Sequence, residues 1–176
     1  MKVVPLKGHE MSPSILDLTI NPNVVQLKIR FSVEAMLAEI DLSEVRDTNL
    51  SENAIKYDEL RTFTPNQIKN IFGKKWPNLS KDIELIQSGR VVELSYQDLT
   101  VPDVGNTELT RISHLYLKAK IEKDEPVVFS WSDNFGPIVV RQVGVDNGLT
   151  QFLANGDESD EMYFQGSIEL SKITMA

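Results

Sequence analysis

The stretch VVQLKIRFSV, residues 24–33, decides the fold. Val25, Leu27, Ile29, Phe31 and Val33 fall on one side of an extended chain, and Gln26, Lys28, Arg30 and Ser32 fall on the other. Hydrophobicity with a period of two marks a strand that has one face in a core and one in water. The preceding run, residues 14–20, sets Leu16, Leu18 and Ile20 on one face, and Asn21-Pro22-Asn23 between the two runs is a turn signal. Together they predict an antiparallel hairpin.

The same period returns in the second half of the chain. Residues 83–87, 90–99, 112–122, 126–131, 138–145, 150–154 and 162–170 all read as strands. Between 115 and 121, for example, Leu115, Leu117, Ala119 and Ile121 alternate with Tyr116, Lys118 and Lys120. Turn signals lie around Gly89 and at residues 123–126. Many short strands at this spacing predict a mainly β fold, an antiparallel β-sandwich. At residues 127–144, VVFSWSDNFGPIVVRQVG, an aromatic-Gly-Pro turn separates two apolar runs. There Gly136 permits a conformation closed to other residues, and Pro137 fixes φ where the next strand starts without needing an amide donor. Phe135 is expected to cover one end of the sandwich.

The β-branched density falls between about residues 34 and 82, which reads as a helical insertion packed on the sheet. Ser51 is a candidate N-cap for a short helix. Thr64, Pro65 and Gln67 occupy the N-cap, first-turn and capping-box places of a second, in which Ile68, Ile71 and Phe72 share a face. Pro77 after Trp76 is expected to end it.

The chain has 176 residues, enough for one domain with a core that needs no covalent staples. Residues 1–8 read as a leader or remnant, 9–170 as the single domain, and 171–176 as a tail. Cysteine is absent, which excludes disulfides, thiol nucleophiles and cysteine-ligated metals. Lys and Arg number 18 against 26 Asp and Glu, a net charge of −8. An acidic chain with no basic run is a poor partner for a phosphate backbone, so no nucleic acid is expected. No apolar run approaches the roughly 18–20 residues of a spanning helix, and residues 1–8 carry no apolar signal-peptide segment.

The order of HEMSPSILDL, LAEIDLSEVRDT, YDELR, VPDVG followed by ELTR, FSWSDNFGPIVVRQVG and TQFLANGDESDEM resembles the extracytoplasmic N-terminal region of HupE/UreJ-like membrane proteins. The resemblance spans nearly all of residues 9–164, and FGPIVVRQ and FLANGDESDEM are its most specific pieces. It implies a cleaved signal peptide, this domain outside the cytoplasm, and several membrane helices beyond it. The family includes members regarded as nickel or cobalt permeases. That transport chemistry belongs to His-containing motifs of the membrane part, and none of it carries over to a residue of this chain. The expected partner is the membrane-embedded remainder of the full-length chain, with a metal ion or a protein partner as further candidates.

Candidate sites were weighed on residue chemistry. A mature chain starting at His9 would present an amine and an imidazole to nickel or copper, with His114 completing the site. The alternative makes His9 an unstructured terminal residue and His114 a sheet-surface residue. Asp47, Asn49, Ser51 and Asn53, with Asp58 in the twelfth place, follow the spacing of a calcium loop. Glu52 stands where that loop needs Gly, and an N-capped helix start explains the same residues. The divalent metal, nickel, copper or calcium, is the one cofactor class these residues suggest. The carboxylates at 157–161 read as a solvated acidic loop.

Arg111 and Arg141 each interrupt a strand-like run and are expected to pair with a carboxylate such as Asp103 or Asp133; an anion site is the alternative. Trp76 and Trp131 read as core residues. There is no Gly-x-Ser-x-Gly elbow and no phosphate loop. The function expected from the sequence is a non-enzymatic, extracytoplasmic ligand- or metal-binding accessory domain. The alternative is a structural or protein-interaction module without a small-molecule site.

Overall fold

The computed structural model describes residues 10–166. Its first two strands, β1 (Ser14–Asn21) and β2 (Val24–Phe31), form the hairpin read from the sequence, paired from Ile15 opposite Arg30 to Asn21 opposite Val24. The alternating apolar residues Val25, Leu27, Ile29, Phe31 and Val33 are all buried.

The helical insertion follows: α1 (Val33–Leu37), α2 (Ala54–Arg61) and α3 (Pro65–Leu79). At the start of α3 the Thr64 hydroxyl accepts from the Gln67 amide at 3.3 Å, and Gln67 Oε1 accepts from the Thr64 amide at 2.9 Å. This is the reciprocal cap that the sequence predicts. The helix does not stop at Pro77, as expected, but runs through it to Leu79. Proline in the last turn removes only one intrahelical bond, the one to the Gly73 carbonyl, and a 3₁₀ turn at Ser80–Asp82 takes over directly. Phe72 anchors α3 to the sheet, with its ring 6.3 Å from Phe31 and 5.9 Å from Tyr96.

The remaining strands are β3 (Ile83–Gln87), β4 (Arg90–Val92), β5 (Ser95–Thr100), β6 (Ser113–Lys120), β7 (Val127–Trp131), β8 (Ile138–Gln142) and β9 (Thr150–Leu153). They build a six-stranded sheet in the order β5-β6-β2-β1-β8-β9 and a three-stranded sheet in the order β4-β3-β7. Both sheets and the helices contribute to one hydrophobic core. The fold is therefore mainly β with a helical insertion, as expected. One pairing departs from the antiparallel rule: β1 and β8 run parallel, with Ser14 opposite Ile138 and Asp17 opposite Arg141.

The last predicted strand is not continuous. Met162 makes an isolated bridge with Val127, while Ser159 exchanges main-chain and hydroxyl hydrogen bonds with Phe129. Residues 159–162 thus cover the open edge of β7 as an irregular strap, and residues 167–170 of that expectation lie outside the described residues. The acidic loop gains its explanation here. Ser159 and Met162 are buried against β7, whereas Asp157, Glu158, Asp160 and Glu161 point to water.

The aromatic-Gly-Pro turn works as the sequence suggests. Gly136 has φ +79°, and its carbonyl accepts from Trp131 Nε1–H at 3.0 Å. The Phe135 ring meets Trp131 edge-on at 5.5 Å, so the turn closes one end of the core. Trp131 is buried and Trp76 packs on the core, in keeping with the structural role given to both.

Candidate functional site

The outward face of the six-stranded sheet carries the polar halves of the alternating strands. Register fixes which side chains meet there. Asp98, Tyr116, Lys28, Asp17 and Arg141 stand opposite one another in a row across β5, β6, β2, β1 and β8. A second row brings Lys118, Gln26 and Thr19 together across β6, β2 and β1. A β-bulge in β5 between Tyr96 and Asp98 turns Tyr96 toward the core and leaves Gln97 exposed at the rim. These rows border an open cleft of about 500 Å³, lined by Asp17, Thr19, Gln26, Lys28, Tyr116 and Lys118 and reaching Gln97 and Val143.

Charge in the cleft is unevenly committed. Arg141 grips Asp17 with both ends of its guanidinium, Nε to Oδ1 at 2.7 Å and Nη2 to Oδ2 at 2.9 Å. Such a two-point pair fixes both side chains in direction as well as distance. Lys28 lies over the Tyr116 ring, 5.9 Å from its centroid, a cation–π contact. Among the described residues neither Lys28 nor Lys118 has a carboxylate within ion-pair distance. The cleft therefore holds two ammonium groups without a carboxylate partner among the described residues, while the carboxylate of its lining, Asp17, is already neutralised.

Arg141 is explained by this geometry, but its partner differs from the expected one. Asp133 sits in the 3₁₀ turn before β8, while Asp17 is the cross-strand neighbour that the parallel register places beside it. Arg111 differs likewise. Asp103 is exposed, and Arg111 instead turns inward, where Nε donates to Glu34 Oε1 at 2.6 Å. The two side chains are 1% and 0% exposed. Arg111 Nη1 also donates to the carbonyls of Phe63 and Pro102. Burial raises the Glu34 carboxyl above its ordinary value, and the Arg111 guanidinium acts against that shift. Arg61 lies nearby and donates to the carbonyls of Leu109, Val104 and Asn106. The two arginines hold the loop between β5 and β6 from inside, a structural role that leaves Arg111 no anion site open to solvent.

His114 projects from β6 onto the outward face, between Thr100 of β5 and Arg30 of β2. Partial burial, together with the Lys28 and Arg30 cations, holds its imidazole below the ordinary value, and Asp17 opposes this. His9, the other half of the histidine site, lies outside the described residues.

Two oxygens of the calcium-like loop, from Asp47 and Ser51, are engaged by the backbone. Asp47 Oδ1 caps a 3₁₀ turn at Thr48–Leu50 by accepting from the Asn49 amide at 2.9 Å. Ser51 Oγ accepts from the Asn53 amide, Asn53 Nδ2 donates to the Glu39 carbonyl, and Asp58 is exposed on α2. Among the described residues no group of three or more His, Asp or Glu side chains is placed to hold a metal ion.

The cleft residues Lys28, Tyr116, Lys118, Gln26, Thr19 and Asp17 were visible in the sequence only as the wet halves of alternating strands. They belong to three strands separated by up to about a hundred residues, so no local spacing links them. No family model matches the chain, and no curated protein matches it.

Proposed function

We propose that the chain is a ligand-binding accessory domain, without catalytic chemistry of its own, that stands outside the cytoplasm as part of a HupE/UreJ-like membrane protein. The family and location rest on the ordered sequence segments described above. The binding role rests on one observation, the open cleft on the outward sheet face with its ammonium, amide and hydroxyl groups. Its volume falls within the roughly 300–1,000 Å³ range of small-molecule sites. The group types gathered there recognise a ligand through directed hydrogen bonds and charge.

Both halves of the reading are open to experiment. A thermal-shift screen of small anions, neutral sugars, and nickel, copper and calcium salts should give at least one saturable rise in melting temperature, because a ligand bound only by the folded state stabilises it. A flat screen overturns the binding role. Since this chain has no cysteine, Asn147→Cys in the full-length protein supplies a label site on an exposed turn. A membrane-impermeant maleimide should modify it in intact cells above the background of the unsubstituted protein. Labelling only after lysis overturns the location.

A further inference from the structure

We infer that the cleft on the outward sheet face binds a hydroxylated carboxylic acid of the sugar-acid class, with Lys28 and Lys118 receiving the carboxylate. The inference deepens the binding role proposed above and rests on it.

The first argument is charge. The protein carries a net charge of −8, yet Lys28 and Lys118 point into one cleft with no carboxylate partner among the described residues. They occupy diagonal positions on adjacent strands, since Lys28 stands opposite Tyr116 and Gln26 opposite Lys118. Side chains so placed are within reach of one another, and like charges there repel. A bound anion relieves that repulsion and takes a charge-assisted hydrogen bond from each ammonium.

The second argument is the rest of the lining. Gln26, Gln97 and Thr19 add neutral donors and acceptors around the lysines. Asp17 adds a carboxylate whose direction is fixed by Arg141. Its two oxygens keep further lone pairs that accept hydrogen bonds, which a ligand without hydroxyl donors, such as sulfate, leaves unused. It suits a ligand that brings hydroxyl donors along with its negative charge. A sugar acid carries both on one small frame: the carboxylate belongs at the lysine side and the ring hydroxyls at Asp17, Thr19 and the glutamines. Free sugar acids and the residues of an acidic polysaccharide share this chemistry.

Isothermal titration of the folded domain with D-glucuronate, oligogalacturonate, D-glucose, sodium phosphate and calcium chloride tests the assignment. The expected result is saturable binding of glucuronate or oligogalacturonate, with phosphate and glucose at least about tenfold weaker, a difference of about 1.4 kcal/mol. Preference for the oligomer identifies a polysaccharide as the source, and equal affinity per residue identifies the free acid. Lys118→Gln should weaken binding without lowering the melting temperature, because the side chain is exposed, and Lys28→Gln should weaken it with a fall of at most about 4 °C from the lost contact with Tyr116. Sugar-acid binding that survives both lysine substitutions overturns the site. Binding of phosphate, glucose or calcium in place of sugar acids overturns the ligand class but leaves a binding domain. Silence across the whole panel, with the thermal-shift screen also flat, removes both.

Discussion

Arg111 and Glu34 meet at 2.6 Å in a place where almost no water reaches either side chain. Glu34 sits on α1 directly after β2, and Arg111 lies at the end of the loop that leads into β6. The pair therefore joins the helical insertion to the large sheet through charge. Among the described residues Glu34 Oε2 and Arg111 Nη2 have no hydrogen-bond partner, so the pair is incompletely satisfied there. Desolvation of two ions is repaid only in part by their attraction, which makes such a pair costly to break and not especially stabilising to keep.

Arg111→Ala should accordingly lose about 3–5 kcal/mol of folding stability, because it strands a buried carboxylate. Glu34→Leu combined with Arg111→Met should lose less than Arg111→Ala alone, although the Phe63 and Pro102 carbonyls forfeit a donor. Urea denaturation of the three proteins checks this. A double variant less stable than the single one would show that a stranded Glu34 carboxylate is not what makes Arg111→Ala costly.

Arg141→Ala removes an ion pair of equally good geometry at the surface, where the two side chains are 44% and 27% exposed. The expected loss is about 0.5–1 kcal/mol, shrinking in high salt. The same substitution exposes the Asp17 charge to the cleft, so it should also weaken anion binding. Denaturation curves and ligand titration on one variant separate the two effects.

Gly136→Ala meets two obstacles together. The backbone has φ +79° and ψ −174°, a region that is essentially glycine's own. An added Cβ would also stand 2.8 Å from the Leu42 Cβ. A loss of about 2–4 kcal/mol is expected, seen as a drop in melting temperature of about 4–16 °C for a chain of this size. Near-UV circular dichroism should report loosening around Trp131, whose indole nitrogen binds the Gly136 carbonyl.

His114 should make stability depend on pH in a defined direction. Its folded pKa lies below the ordinary 6.5, so between the two values the unfolded chain holds more protons than the folded one. Stability then rises with pH through that window, is full above about 6.5, and is lost as pH falls through the folded value. Proton NMR of the imidazole should show the lowered midpoint, and His114→Gln should flatten that part of the stability profile.

The strands were legible because each is a short run with period two, and the start of α3 because Thr64, Pro65 and Gln67 leave little choice. What the sequence could not show is which runs become neighbours. Asp17 and Arg141 are 124 positions apart, and nothing near Arg141 announces a parallel partner, so Asp133 looked the natural match. Nothing in the run Glu34-Ala35-Met36-Leu37 announces that its carboxylate is buried. It is buried where α1 packs against α2 and α3, and Arg111, helped by Arg61, offsets the cost. The cleft was hidden for the same reason, since its lysines come from β2 and β6 and alternate with apolar residues on both.

The parallel pairing of β1 with β8 has a consequence in time. A ribosome delivers Ser14 long before Ile138, so the inner edge of the first hairpin waits, unpaired, until β8 has been made. Contacts between such distant positions slow folding and leave sticky edges exposed meanwhile. Chains cut short before Ile138 should be the species that chaperones hold or that aggregate, and the domain is secure only once β8 arrives to close the seam.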